Sequence, residues 1–212
     1  KEVFTHAINP RIVKCGRLNK CGYEEHVKDI CEDLFKDWSK EFPKTEAKPH
    51  AAADAYLQHG RGFDLSKING LYTQESFHNE EKFPGLVSAT VRFKLAPGIY
   101  WERLIDRPER FGRQKANFIG KYEGYSWTMM ELDALCNADS IWFTEGIFNA
   151  IALTLSNVPA VATMSSGNYP TKLLQQITDR CHELKKDKPR LCWAFDNDKA
   201  GKKAIKKFHL RA

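Results

Sequence analysis

No stretch of this sequence holds enough consecutive apolar residues to cross a bilayer as a helix, so nothing in it reads as a transmembrane anchor. The opening residues, Lys1-Glu2-Val3-Phe4-Thr5-His6, lack the apolar core of a secretory signal. Internal repeats and low-complexity tracts are also missing, which leaves an ordinary globular sequence. Cysteine is sparse. Of Cys15, Cys21, Cys31, Cys136, Cys181 and Cys192, three fall in segments that read as regular core structure, so a disulfide framework is not expected and a reducing cytoplasm is. The chain opens without methionine and stops just past a basic segment, and it reads as a piece of a longer protein.

What is present is enough for one large domain or two small ones: 212 residues, of which 42% are hydrophobic. That apolar content supports a packed core and argues against general disorder. Lysine and arginine number 33 against 27 acidic residues, a formal charge of +6. Such an excess suits a polyanionic partner, and it equally suits an ordinary basic surface.

Residues 1–22 look irregular, with Pro10, Gly16 and Gly22. Val27, Ile30, Leu34, Phe35 and Trp38 then recur at helical spacing, predicting an amphipathic helix from Glu24 to Phe42. Pro43 to Pro49 is polar with proline at both ends and reads as a linker. Ala51 to Gln58 reads as a short helix. Two β-rich runs, Leu86 to Phe93 and Ile99 to Ile105, flank an Ala96-Pro97-Gly98 turn. A basic loop from Arg107 to Lys115 leads to a short strand, Ala116 to Ile119. From Glu131 onward, helices alternate with apolar strands at Ser140 to Thr144, Ala160 to Met164 and Arg190 to Phe195. This alternation predicts βαβ units and a mostly parallel sheet.

In such sheets the functional groups gather at the carboxyl ends of the strands. One predicted strand ends in Glu145-Gly146 and another in Asp196-Asn197-Asp198, each followed at once by a helix. Carboxylates at i and i+2 on a turning chain can face one volume. Hard oxygen donors of this kind suit Mg²⁺ or Mn²⁺, which keep waters and take substrate phosphates as further ligands. Glu145 can serve there as a ligand or as a general acid/base. Aspartate before a helix also reads as an N-cap, and for Asp198 taken alone the cap is the stronger reading. The combination of two acidic strand ends, each opening a helix, is what points to metal chemistry.

Three segments in order carry a resemblance. Phe143-Thr144-Glu145-Gly146 with the helix to Leu153, the small-residue strand and loop Ala160 to Gly167, and Ala194-Phe195-Asp196-Asn197-Asp198-Lys199-Ala200-Gly201 together resemble the Toprim domain of bacterial-type, DnaG-like DNA primases. The resemblance implies a Rossmann-like α/β fold, a mostly parallel sheet with helices on both faces, whose Glu145, Asp196 and Asp198 form the catalytic metal cluster. Two departures stand out. Asn149 occupies a position where primases often carry aspartate, and the chain ends before a further acidic segment expected after the third strand.

The segment from 83 to 119 resembles the small basic, β-rich subdomain that precedes Toprim in those primases. The likeness singles out Arg103, Arg113 and Lys115, and with them Lys199, as groups that hold nucleotide or template. Cys15 and Cys21, with His6 as a third candidate, resemble half of the Zn²⁺ ribbon that begins such primases. The implied organisation is a zinc-ribbon remnant, helix and linker over 1–48, a basic subdomain over 49–130 and a Toprim domain over 131–212. The implied activity is synthesis of RNA primers on single-stranded DNA from ribonucleoside triphosphates, alongside a replicative helicase in cis or in trans and without any membrane. Two other functions stay open: nuclease or topoisomerase chemistry on the same fold, and a catalytically degenerate module that only binds single-stranded DNA.

Overall fold

The computed structural model describes residues 3–5, 12–16, 21–30 and 35–211. The chain divides into two compact units, one comprising Lys1–Gly60, Thr73–Arg92 and Glu102–Asn117, the other Arg61–Tyr72, Phe93–Trp101 and Phe118–Ala212. Among the described residues no helix is long and apolar enough to cross a membrane.

The first unit opens with a three-stranded antiparallel sheet of β1 (Val3–Phe4), β2 (Ile12–Cys15) and β3 (Glu24–His26). Helical spacing predicted that Glu24 to His26 would lie in a helix. They pair instead with β2, with Ile12 opposite His26 and Lys14 opposite Glu24. The cross-strand partners lie outside the local window that periodicity reads, and they override it. Two short helices follow among the described residues, α1 (Val27–Ile30) and α2 (Trp38–Glu41). Trp38, 2% exposed, anchors this stretch edge-on against Tyr56, with ring centroids 5.8 Å apart. Tyr56 follows α3 (Ala51–Ala55) in a π-helical turn, Tyr56–Gly60.

Four further strands, β4 (Tyr72–His78), β5 (Val87–Ala96), β6 (Ile99–Leu104) and β7 (Ala116–Ile119), form a sheet in that order, and the boundary between the units falls within them. Within the first unit two buried carboxylates organise the strands. Glu102, 2% exposed, takes hydrogen bonds from Arg92 Nε and Nη2 at 3.0 and 2.9 Å, from Asn117 Nδ2 at 2.9 Å and from Thr90 Oγ1 at 3.2 Å. Asp106 accepts from Ala89 N–H at 2.7 Å and from both the N–H and the hydroxyl of Ser39, at 2.8 and 2.6 Å. Carboxylates so buried are tolerable only because donors surround them.

The second unit holds the α/β half. After α4 (Leu65–Ile68), in chain order, come α5 (Leu132–Cys136), β8 (Ser140–Thr144), α6 (Ile147–Leu155), β9 (Ala160–Ala162), α7 (Thr171–Glu183), β10 (Arg190–Trp193) and α8 (Lys199–His209). The three strands form a parallel sheet in the order β10-β8-β9. Ile141 and Phe143 alternate along β8 with the exposed Trp142. They pack with Val161, with Leu135 and Cys136 of α5 and with Ile177 and Cys181 of α7. This is the βαβ architecture that the strand and helix alternation predicted.

Replacing Arg92 by alanine is expected to strip Glu102 of its guanidinium partner while leaving the carboxylate buried. Removing one partner of a buried ion pair costs about 3–5 kcal/mol. Urea unfolding of Arg92→Ala is expected to show a loss of that order, and Arg92→Lys to recover only part, because an ammonium cannot reproduce the forked contact. An unchanged midpoint for Arg92→Ala would remove this network from any account of stability.

Candidate functional site

The parallel register sets Trp193 opposite Phe143, and Ala194 N–H donates to the Phe143 carbonyl at 2.8 Å. The two strands therefore leave the sheet side by side, carrying Glu145 and Asp196 out at the same edge. There Asp196 N–H donates to Glu145 Oε1 at 3.2 Å. Glu145 is half-buried and Asp196 exposed. Gly146 caps α6 through its carbonyl, which receives Ala150 N–H at 3.2 Å.

Asp198 lies on the same loop but is turned toward the helix. Its Oδ1 accepts Gly201 N–H at 2.7 Å, making it the N-cap of α8. The capping role that its sequence context favours is present in the structure. Among the described residues no group of three or more acidic, histidine or cysteine side chains stands close enough to hold a metal. The oxygen-only donors of Glu145 and Asp196 nevertheless fit Mg²⁺ chemically, because that ion is commonly held by one or two carboxylates, with water and phosphate filling the remaining positions.

Gly201 explains how the loop holds its shape. A Cβ built there would sit 2.2 Å from the Asp196 carbonyl oxygen and 3.3 Å from its nitrogen. The first turn of α8 thus rests directly on the backbone that presents Asp196. Along the helix, Lys199, Lys202, Lys203 and Lys206 follow one another at helical spacing and line a surface recess with Asn197 and Asp198. Lys199 is exposed.

The remaining expected site residues belong to the first unit. Arg103 is half-buried on β6, and its Nε is shielded from solvent without a hydrogen-bond partner among the described residues. Arg113 is exposed. Lys115 is half-buried, and its carbonyl accepts Leu104 N–H at 3.1 Å. Cys15 and Cys21 do approach one another at the β2–β3 connection. The Tyr23 N–H and then the Cys15 thiol hold the Cys21 pKa below that of an ordinary thiol. Two thiols do not close a tetrahedral zinc site, no third ligand joins them among the described residues, and His6 lies outside those residues.

A framework that sequence reading missed ties the strand ends together. Thr163, just past β9, donates its N–H at 2.8 Å and its hydroxyl at 3.1 Å to the carbonyl of Thr144, immediately before Glu145. Buried Asn168 donates to the Thr163 and Tyr125 carbonyls, both at 2.7 Å, and accepts Gly124 N–H at 2.8 Å. The only hint in the sequence was a polar residue closing the small-residue loop Ser165-Ser166-Gly167.

Residues 142–212, which hold nearly all of the parallel α/β sheet, match the family described as Toprim-like. Two solved structures are similar in fold to the chain. One is the primase fragment of the bacteriophage T7 primase-helicase protein, at 14% identity and a TM-score of 0.41, covering 70% of this chain and 57% of that one. The other is the RNA polymerase domain of the Mycobacterium tuberculosis primase DnaG, at 17% identity and a TM-score of 0.44, covering 85% of this chain and 61% of that one. This chain therefore spans about three fifths of the length of each. No curated protein matches.

Two outcomes follow from this geometry. Gly201→Ala is expected to force the Asp196 backbone away and lower stability by about 1–3 kcal/mol. Gly146→Ala, whose added Cβ meets nothing within 4 Å, is expected to change the melting temperature much less. Equal melting temperatures for the two variants would refute the close-packing account. For the thiols, burial pushes the Cys136 pKa up to about 11, with the neighbouring Cys181 thiol adding to the shift. Brief labelling of the native protein near pH 8 should modify exposed Cys21 well before Cys136 or Cys181, as read by peptide mass spectrometry. Labelling of the buried pair first would contradict this order.

Proposed function

We propose that this chain is the catalytic core of a bacterial-type DNA primase, which joins ribonucleotides on a single-stranded DNA template. The observation that carries the reading is the parallel pairing of β8 with β10, which delivers Glu145 and Asp196 to one edge within the Toprim-like segment. Asp198, two residues on, completes the acidic set. In this reading Glu145, Asp196 and Asp198 hold Mg²⁺ or Mn²⁺, and the ion neutralises charge on the phosphate undergoing transfer. The 3′-hydroxyl of the growing primer attacks the α-phosphate of the incoming nucleotide, and pyrophosphate departs.

The basic residues supply grip. Arg103 keeps a shielded Nε donor with no partner among the described residues, as suits a group whose acceptor is a ligand phosphate. Arg113 and Lys115 follow on the same side of the sequence motif, and Lys199 opens a row of lysines beside Asp198 that suits a phosphate chain. The functional division runs 1–48, 49–130 and 131–212, with a replicative helicase as the partner, in cis or in trans. One observation favours a second reading. The Asp198 carboxylate is engaged as a helix cap, which weakens the acidic set and suits a module that binds single-stranded DNA without catalysis.

Incorporation of labelled ribonucleotides on a single-stranded template separates these readings. Asp196→Ala and Glu145→Ala are expected to remain folded and to lose Mg²⁺-dependent incorporation by at least a hundredfold, about 2.7 kcal/mol of barrier. Asp187→Ala, on the exposed Lys185-Lys186-Asp187-Lys188 turn, is expected to act like the parent. Near-normal synthesis by Asp196→Ala would overturn the assignment. Binding without synthesis in the parent protein would favour the non-catalytic module.

A further inference from the structure

The last residues of β7 lead into an aromatic feature that the acidic site does not use. Phe118 and Tyr122 lie face to face, with centroids 3.8 Å apart and planes 13° from parallel. No other described ring pair is so close, the next being 4.7 Å. Isolated aromatic pairs prefer edge-on or offset geometry at roughly 4.5–7 Å between centroids. This pair is therefore imposed by the chain that carries it.

Gly120 makes the turn possible. Its φ is +77°, and a Cβ there would meet the Gly98 carbonyl oxygen at 2.7 Å, so the turn rests against the β5–β6 hairpin tip. Beyond Tyr122 the chain is fixed by Asn168, which binds Gly124 N–H and the Tyr125 carbonyl from one side and the Thr163 carbonyl from the other. Trp127 and Ala162 then exchange two backbone hydrogen bonds, at 2.9 and 2.7 Å. The ring pair is thus tethered to the end of β9, and through Thr163 to the Thr144 carbonyl next to Glu145.

Both rings are half-buried, and both line a cavity of about 580 Å³ together with Lys121, Glu123, Ser165 and Asn168. A cavity of roughly 300–1,000 Å³ is the usual size for a small-molecule site. A flat π-face beside an exposed ammonium and a serine hydroxyl offers stacking, charge and a hydrogen bond to one ligand class, a nucleobase carrying phosphate. Stacking on an aromatic platform is tolerant of base identity, because every base has a π-face.

We propose that Phe118 and Tyr122 form a pre-stacked platform for a nucleobase, with Lys121 meeting the phosphate attached to it. This rests on the nucleotidyl-transfer reading for its choice of ligand and deepens that reading by adding a base-holding subsite. The base comes either from the template strand or from a bound nucleotide.

The test is equilibrium binding by fluorescence anisotropy in the presence of a metal chelator, so that catalysis plays no part. Labelled oligothymidylate is compared with an abasic oligonucleotide of the same length and charge. The parent protein is expected to bind the oligothymidylate about tenfold more tightly, the order set by stacking of a single base. Phe118→Leu and Tyr122→Leu keep apolar volume without a π-face and should erase that preference while leaving abasic affinity unchanged. Tyr122→Trp should keep or increase it, a readable result even if a leucine variant fails to fold. Competition by ATP but not by inorganic triphosphate identifies a bound nucleotide as the source of the base; failure of both to compete identifies the strand. Equal affinity of the parent for both oligonucleotides, or a preference that survives in a folded leucine variant, overturns the platform. A base preference in a protein that never makes primers would sink the catalytic reading and leave the platform standing. Primer synthesis without base preference would do the reverse.

Discussion

The parallel pairing of Ser140–Thr144 with Arg190–Trp193 is the constraint on which the proposed chemistry depends. Parallel neighbours end at the same edge, so two acidic residues about fifty positions apart in sequence arrive side by side, with the Asp196 backbone N–H donating to the Glu145 carboxylate. An antiparallel pairing of the same strands would send them to opposite edges. The pairing is enforced by burial rather than by the acidic groups, which gain nothing from mutual approach. Ile141 and Phe143 can reach the core formed with α5 and α7 only in this register, since a slip by one residue would turn them outward and Trp142 inward.

Around that pairing the structure uses small, specific contacts to hold loops that would otherwise wander. Gly201 lets α8 sit on the Asp196 backbone, and the Asp198 cap closes the same loop from its other end. Thr163 and Asn168 do the equivalent for the loops beyond β8 and β9. Buried polar side chains with all their partners satisfied rigidify more than they stabilise. Rigidity is the property that the proposed phosphoryl-transfer site needs.

Much of this was legible because the α/β half is written in local signals. Apolar runs ended by acidic residues marked β8 and β10, and Ala96-Pro97-Gly98 marked a turn that Gly98 completes with φ +74°. The illegible parts share a cause. Glu24 to His26 became a strand through partners at Ile12 to Lys14 that no window contains. Tyr72–His78 escaped notice because one of its inward positions is Gln74, buried to bind Ala53 N–H at 2.9 Å, which hides the apolar alternation. The Phe118–Tyr122 stack and the Asn168 bridge depend on chain closure over tens of residues. The double nature of Asp198, expected cap and expected ligand, was visible from the start, and the structure displays the cap.

The order β10-β8-β9 leaves the two outer strands in different circumstances. On the far side of β9 the Trp127–Ala162 bridge occupies backbone groups that would otherwise face outward. Among the described residues no strand covers the outer side of β10. An uncovered apolar strand is a template on which other chains can add by backbone pairing, the route to insoluble aggregates. This one is short, and it is entered through Lys185, Lys186, Lys188, Pro189 and Arg190, a proline among four positive charges. Charge repels an approaching copy, and proline offers it no donor. The colloidal behaviour of the protein therefore depends on a few lysines far from the acidic edge, and neutralising them would be felt first in concentrated solution rather than in the chemistry.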